Sequence, residues 1–248
     1  MEQKMNKKKT SGGGKLFIYG KHASLAALEN PNRIVHHAYV SRNLAASFQP
    51  YLSGVSHSVV DPRDIEKMLP EGAVHQGIVL EVSPLEQLDL EDIIDEASLI
   101  LVLDQVSDPH NVGAIMRSCA AFEADALIVH ERHAPKESAI IAKTACGALE
   151  MLPLISVTNI VYALEELKEA GFWCVGLAGE AQQNIADFVA DKPAKIALIL
   201  GAEGEGMRRL TAERCDFLVR LPISSQMESL NVSNAAAIAL YALQHQDF

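Results

Sequence analysis

The sequence predicts an α/β chain in which a C-terminal parallel sheet, covered by helices on both faces, follows a smaller α/β unit. Three observations predict it. The chain of 248 residues is 49% hydrophobic but only 5% aromatic, a balance that favours helices packed on a sheet over an all-β sandwich. From Ser98 onward, unbroken apolar runs alternate with amphipathic patterns, as expected of strands buried on both faces. Before Pro84, shorter apolar runs alternate with helical patterns over about seventy residues, enough for a unit that folds alone.

The elements follow in order. Residues 1–15 (MEQKMNKKKTSGGGK) are basic and then glycine-rich. They lack the apolar stretch of a secretory signal and read as a disordered tail. Within residues 16–83, strands are expected at 34–40 (IVHHAYV), 57–60 and 77–82 (GIVLEV). Residues 43–52 are helical in pattern, and Asp61 with Pro62 opens a short helix as cap and first residue. Residues 84–97 carry Glu86, Asp89, Glu91, Asp92, Asp95 and Glu96, and read as a linker with a short helix. Residues 98–248 form the second unit. Its apolar strands are expected at 99–103, 126–129, 154–157, 174–177, 196–200 and 218–221. Its helices are expected at 111–122, 137–149, 159–170, 205–213 and 231–244.

Composition narrows the function classes. Cys119, Cys146, Cys174 and Cys215 form no CxxC pair, and no His/Cys cluster has metal-ligand spacing, so buried free thiols and no metal are expected. No apolar run reaches the ~20 residues of a membrane span, and the chain reads as cytoplasmic. A formal net charge of −11 argues against a nonspecific nucleic-acid binder. Any RNA surface must be a local patch, for which Lys15, Lys21, Arg33, Arg42, Arg208, Arg209 and Arg214 are the candidates. His22 and His75 are further candidates for RNA contact, although packing and surface roles are the commoner use of such histidines.

Ligands of open parallel sheets sit beyond the carboxyl ends of the strands. Three such ends carry unusual sequence. The first is 105–117 (QVSDPHNVGAIMR), where a helix is expected to start near Asn111 and to place Asn111, Ala114 and Arg117 on roughly one face. An ordinary cap and a surface arginine would give the same spacing. The second is 201–206 (GAEGEG), three glycines around Glu203; it is neither GxGxxG nor a P-loop. The third is 223–234 (ISSQMESLNVSN), where Ser229, Asn231, Ser233 and Asn234 crowd one helix start beyond what capping needs.

Together these motifs resemble those of the SpoU-type RNA 2′-O-ribose methyltransferases, also called the TrmH family. The family pattern is N-x-G-x-x-x-R, then G-x-E-G-x-G, then S-L-N-V-S. Asn111 to Arg117, Gly201 to Gly206 and Ser229 to Ser233 match it in that order. The resemblance covers residues 98–248. The stretches CGALE, GKHASLAALEN and HQGIVLEV are similar to a bacterial subgroup that acts on a guanosine of 23S ribosomal RNA.

The resemblance implies a deep trefoil knot, a rare exception to unthreaded topology. It implies S-adenosyl-L-methionine as methyl donor, held at Gly201, Leu221 and Leu230, and no metal. It also implies a homodimer with the site at the subunit interface, and an L30e-like first unit that grips RNA. Transfer RNA is the alternative substrate.

The implied catalytic set is Arg117 with Asn111, Glu203, Ser229 and Asn231. In-line displacement at a sulfonium methyl demands positioning of the ribose oxygen and departure of its proton. Arg117 is either the base, which a guanidinium resists, or an electrostatic clamp on phosphate and developing alkoxide. Two other classes compete with this reading. A nucleotide-dependent oxidoreductase needs GxGxxG after the first strand of the second unit, where QVSDPHNVG stands instead. A non-catalytic RNA-binding or ribosome-assembly protein of the same fold would have no need to keep Arg117, Glu203 and Asn231 together.

Overall fold

The computed structural model describes residues 16–132 and 137–245. The N-terminal tail, Lys15 included, lies outside them. The first unit runs β1 (Leu16–Tyr19), α1 (Lys21–Glu29), β2 (Val35–Ser41), α2 (Arg42–Phe48), β3 (His57–Val60), α3 (Pro62–Glu66) and β4 (Ile78–Val82). Its sheet has the order β1-β4-β2-β3, with β4 antiparallel to both neighbours and β2 parallel to β3. Asp61 caps α3 by accepting from the Arg63 amide at 2.9 Å, with Pro62 in the first turn.

The second unit runs β5 (Leu99–Asp104), α4 (Pro109–Ala121), β6 (Ala126–His130), α5 (Ala139–Ala145), β7 (Leu154–Val157), α6 (Ile160–Glu169) and β8 (Trp173–Leu177). It continues with β9 (Gln183–Asn184), α7 (Ile185–Val189), β10 (Ile196–Gly201), α8 (Arg209–Arg214), β11 (Phe217–Arg220) and α9 (Val232–Gln244). The seven strands pair in parallel in the order β7-β6-β5-β10-β8-β11-β9.

The pleat sends successive side chains to opposite faces. Leu99, Leu101 and Leu103 of β5 and Ile196, Leu198 and Leu200 of β10 join one apolar cluster with α4, α5, α7 and α9. Ile100, Val102, Ala197 and Ile199 join a second cluster with Ile160, Ala163, Leu164 and Leu167 of α6. Both faces are therefore covered, which is why the strand sequences show no polar alternation. At Gly113 of α4, an added Cβ would sit 2.8 Å from Thr144 Cβ and 3.1 Å from the Ile141 carbonyl. The motif glycine lets α4 press onto α5.

Several expectations shift. The segment at 84–97 is no loose tether: Leu90 and Ala97 are buried in the α6-side cluster, and Asp89 and Asp92 form a capping box around a 3₁₀ turn. The first unit also shares its core with the second, since Ile18, Ala23 and Ala27 belong to the cluster that holds Ile141 and Ala145. The helix expected from 111 starts two residues earlier, because Asp108 caps it through the His110 amide at 2.9 Å and Pro109 opens the first turn. The helix expected over 205–213 is confined to α8. Gly204 and Gly206 have φ of +84° and +69°, and Ala202 pairs with Gly206 as a narrow hairpin, so the chain enters α8 only at Arg209. Cys119 and Cys174 are buried, but Cys215 is half-buried and Cys146 is exposed. Cys146 has φ of +52° at the end of α5, which turns its side chain out of the core. No helix among the described residues is long and apolar enough to cross a membrane.

Candidate active site

The carboxyl ends of β5 and β10 lie side by side, with Asp104 in register with Gly201. Each is followed by one of the motifs. At Gly201 an added Cβ would stand 2.0 Å from the Gly206 carbonyl carbon and 2.1 Å from the Met207 nitrogen. Only glycine lets the loop fold back on the strand that launches it. Two hydrogen bonds close that loop: the Ala202 amide donates to the Gly206 carbonyl at 3.0 Å, and the Gly206 amide to the Ala202 carbonyl at 2.9 Å. Glu203 is thereby carried at the exposed tip.

Asn231 caps α9, its Oδ1 accepting from the Ser233 amide at 3.0 Å and the Ser233 hydroxyl at 2.6 Å. That leaves its amide nitrogen to point away from the helix. It donates to Asn111 Oδ1 at 3.1 Å and to Glu203 Oε2 at 3.3 Å. One residue from each of the three motifs thus meets at one strand edge. Ser233 belongs to the cluster too.

The remaining expected residues are placed differently. Ser229 is exposed, and Leu221 and Leu230 are half-buried; Leu221 packs against the main apolar cluster. Arg117 is exposed and does not join the Asn111–Asn231–Glu203 cluster within the chain. Six residues along an α-helix turn the side chain by about 240° from Asn111, and the Arg117 guanidinium instead donates to Cys146 Sγ at 3.6 Å. The spacing that suggested a shared face spans too many residues to keep it.

Asp104 is a site residue that the three motifs do not include. It ends an apolar strand and is fully buried, yet a carboxylate there needs a partner. Arg208 supplies it: the Arg208 amide donates to Oδ2 at 2.9 Å, Nε to Oδ1 at 2.7 Å, and Nη2 lies 2.7 Å from Oδ1. The ion pair fastens the far end of the glycine loop to the neighbouring strand. The available signal was the acid closing LILVLD.

The pair also corrects the RNA patch, since Arg208 faces a buried carboxylate rather than solvent alone. Arg33 is wholly buried between Glu137 and Glu150 and is no surface residue. Arg209 and Arg214 are exposed but paired with Glu213 and Glu165, while Lys21 and Arg42 are exposed. His75 is nearly buried and accepts the Gly77 amide at 3.0 Å, a packing role, whereas His22 is exposed.

Two family models match the chain in succession. The one described as RNA 2′-O ribose methyltransferase substrate binding covers residues 17–88, and the one described as the SpoU rRNA methylase family covers residues 98–241. Such a pairing defines an RNA methyltransferase with its own substrate-binding unit.

Full-length relatives agree. The chain is 40% identical to the 23S rRNA (guanosine-2′-O-)-methyltransferase RlmB of Pseudomonas putida, over 92% of this chain and 96% of that one. It is 41% identical to the enzyme of the same name from Vibrio parahaemolyticus, over 93% and 96%. In fold it is similar to the SpoU methyltransferase AviRb from Streptomyces viridochromogenes, solved in complex with AdoMet. The TM-score is 0.80 at 24% identity, over 93% of this chain and 89% of that one. The chain belongs to the SpoU rRNA methylase family.

Proposed function

We propose that the protein transfers the methyl group of S-adenosylmethionine to the 2′-hydroxyl of a guanosine in 23S ribosomal RNA. The observation that carries this reading is the hydrogen-bonded meeting of Asn111, Glu203 and Asn231 at the ends of β5 and β10, in a chain about 40% identical to enzymes named for that reaction.

The residues suit the cofactor. Within the loop that Gly201 makes possible, added Cβ atoms at Gly204 and Gly206 would meet nothing within 4 Å, so the backbone of this loop is open to a ligand. Leu221 and Leu230 supply half-buried apolar surface. Residues 201–206, Leu221 and Leu230 would hold adenosylmethionine, which supplies an activated methyl group when bound. Asn111 and Asn231 orient the ribose, with Glu203 fixing the Asn231 amide and the exposed Ser229 of the same motif assisting them.

Arg117 acts as an electrostatic clamp. A guanidinium stays charged and offers a planar fork to phosphate, and it steadies the alkoxide as the hydroxyl proton passes to solvent water. Because Arg117 points away from the cluster within one chain, the site is completed in a homodimer, with Arg117 of one subunit serving the cluster of the other. The first unit, of L30e-like type, holds the RNA, and the enzyme works in the cytoplasm.

The test is transfer of labelled methyl from adenosylmethionine to purified 23S ribosomal RNA, with the ribose mapped, and with transfer RNA alongside. Methylation of one 23S guanosine is expected. Methylation of transfer RNA alone would replace the substrate, and binding of adenosylmethionine without turnover on either RNA would leave a non-catalytic module. Arg117→Ala should abolish transfer while keeping cofactor affinity within a few fold; full activity in that variant would remove the clamp. Mixed dimers of Arg117→Ala and Asn231→Ala chains should regain part of the activity that each variant lacks alone. Failure to do so would place the whole site in one subunit.

A further inference from the structure

The turn between α5 and β7, residues 146–150, touches two parts of the molecule. At its start Cys146 receives the Arg117 guanidinium at 3.6 Å. At its end Glu150 holds Arg33, which precedes β2 in the first unit. The Arg33 Nε donates to Glu150 Oε2 at 3.0 Å, and Nη2 donates to Glu150 Oε1 at 2.8 Å. Nη1 donates to the Ser83 carbonyl at 2.8 Å and lies 2.6 Å from Glu137 Oε1.

Two neighbours extend the network. Asn30 Nδ2 donates to Glu150 Oε2 at 2.8 Å, and the Leu85 amide donates to Glu137 Oε2 at 2.9 Å. The Arg33 side chain has no solvent exposure. The same turn seats α1: Gly147 has φ of +98°, and an added Cβ there would stand 2.9 Å from Ala26 Cβ. One guanidinium therefore ties together the first unit, the connecting segment and both flanks of α5.

A buried ion pair is a weak source of net stability, because the desolvation of its charges offsets their attraction. What a bidentate guanidinium does supply is direction, since its fork fits a carboxylate in one orientation. We propose that Arg33 is a positioning residue for methyl transfer. Clamped to Glu150 and Glu137, it docks the RNA-binding unit in one orientation on the turn whose other end steadies Arg117, so that RNA gripped by the first unit arrives at a fixed span from the reacting edge. The inference rests on the methyl-transfer reading above for the roles of Arg117 and the first unit.

The experiment uses the full chain and two variants. Arg33→Met/Glu137→Gln/Glu150→Gln removes all three charges together, so that no buried carboxylate loses its partner; Arg33→Lys keeps the charge but loses the fork. Four quantities are measured for each: the alkylation rate of the exposed Cys146 by iodoacetamide, the dissociation constant of adenosylmethionine, and kcat and KM on 23S ribosomal RNA.

The clamp predicts that the triple variant alkylates Cys146 about fivefold faster and raises KM for RNA about tenfold, with cofactor affinity unchanged. Arg33→Lys should fall between it and the parent. A folded triple variant with parental Cys146 rate and parental KM would overturn the proposal. If the triple variant does not fold, Arg33→Lys decides by the same two readouts. If the parent chain does not methylate RNA, the methyl-transfer reading fails, while the Cys146 rate still tells whether Arg33 holds the turn.

Discussion

Asn231 donates its side-chain amide to Asn111 Oδ1 across 120 residues of sequence, at 3.1 Å. The helix cap makes this possible, because Ser233 occupies the Asn231 carbonyl oxygen and fixes which way the amide nitrogen faces.

Replacing Asn231 separates its two duties. Asn231→Ala should lose the cap as well as the link, costing about 1 kcal/mol in unfolding free energy. Asn231→Ser keeps a capping oxygen but cannot reach Asn111 and Glu203 as a donor pair. Its melting temperature should stay close to the parent's while methyl transfer falls roughly 100-fold. Calorimetry beside an activity assay distinguishes the two, and equal activity in Asn231→Ser would deny the link any part in the reaction.

Two glycines of one loop should respond differently to alanine. At Gly201 the new methyl would run into the backbone of Gly206 and Met207, so the loop must open. We expect a loss of at least about 3 kcal/mol and of cofactor binding. At Gly204 the methyl meets open space and only the positive φ is penalised, at about 1–2 kcal/mol. Chemical denaturation and adenosylmethionine titration of both variants check this order.

Breaking the Asp104–Arg208 pair should reach well beyond surface electrostatics. Arg208→Met leaves a wholly buried carboxylate with the backbone amide of residue 208 but without its counter-charge, which costs about 3 kcal/mol. In a chain of this size that lowers the melting temperature by about 10 °C. Asp104→Asn should cost less, because an amide needs no counter-charge. A melting shift under 2 °C for Arg208→Met, roughly half a kcal/mol, would show that solvent reaches Asp104.

These residues also show where the sequence was legible. β5, β6 and β10 were readable because strands covered on both faces cannot alternate, and their apolar runs stand out. The convergence of Asn111, Glu203 and Asn231 was readable only as three strand ends of one sheet; the hydrogen bonds that join them span 28 and 120 residues, which no local spacing encodes. The direction of Arg117 is not legible in the spacing, because a face held over three residues is lost over six. Arg33 looked like a surface charge because the carboxylates that bury it, Glu137 and Glu150, lie over a hundred residues away. The short β9 and α7 leave no mark in the sequence, because two and five residues are too few to display a period.

The thiols divide by environment. Burial pushes Cys119, Cys174 and Cys215 up to about 12, so at pH 8 only about one in ten thousand of each is thiolate. Their folded-state pKa lies above the unfolded one, so burial favours the native state less as pH rises past the ordinary thiol range. Cys146 is exposed. Mass spectrometry after brief iodoacetamide treatment at pH 8 should find Cys146 modified and the other three intact until denaturant is added. Early modification of Cys174 would contradict its buried place on β8.

The apolar cluster that runs from Ile18 and Ala27 into Ile141 and Ala145 makes the two units thermally inseparable. Heat should melt them in one transition rather than two. A polypeptide nicked between β4 and the 3₁₀ turn at Leu90 should stay together through purification, its fragments parting only when that shared interior is dissolved.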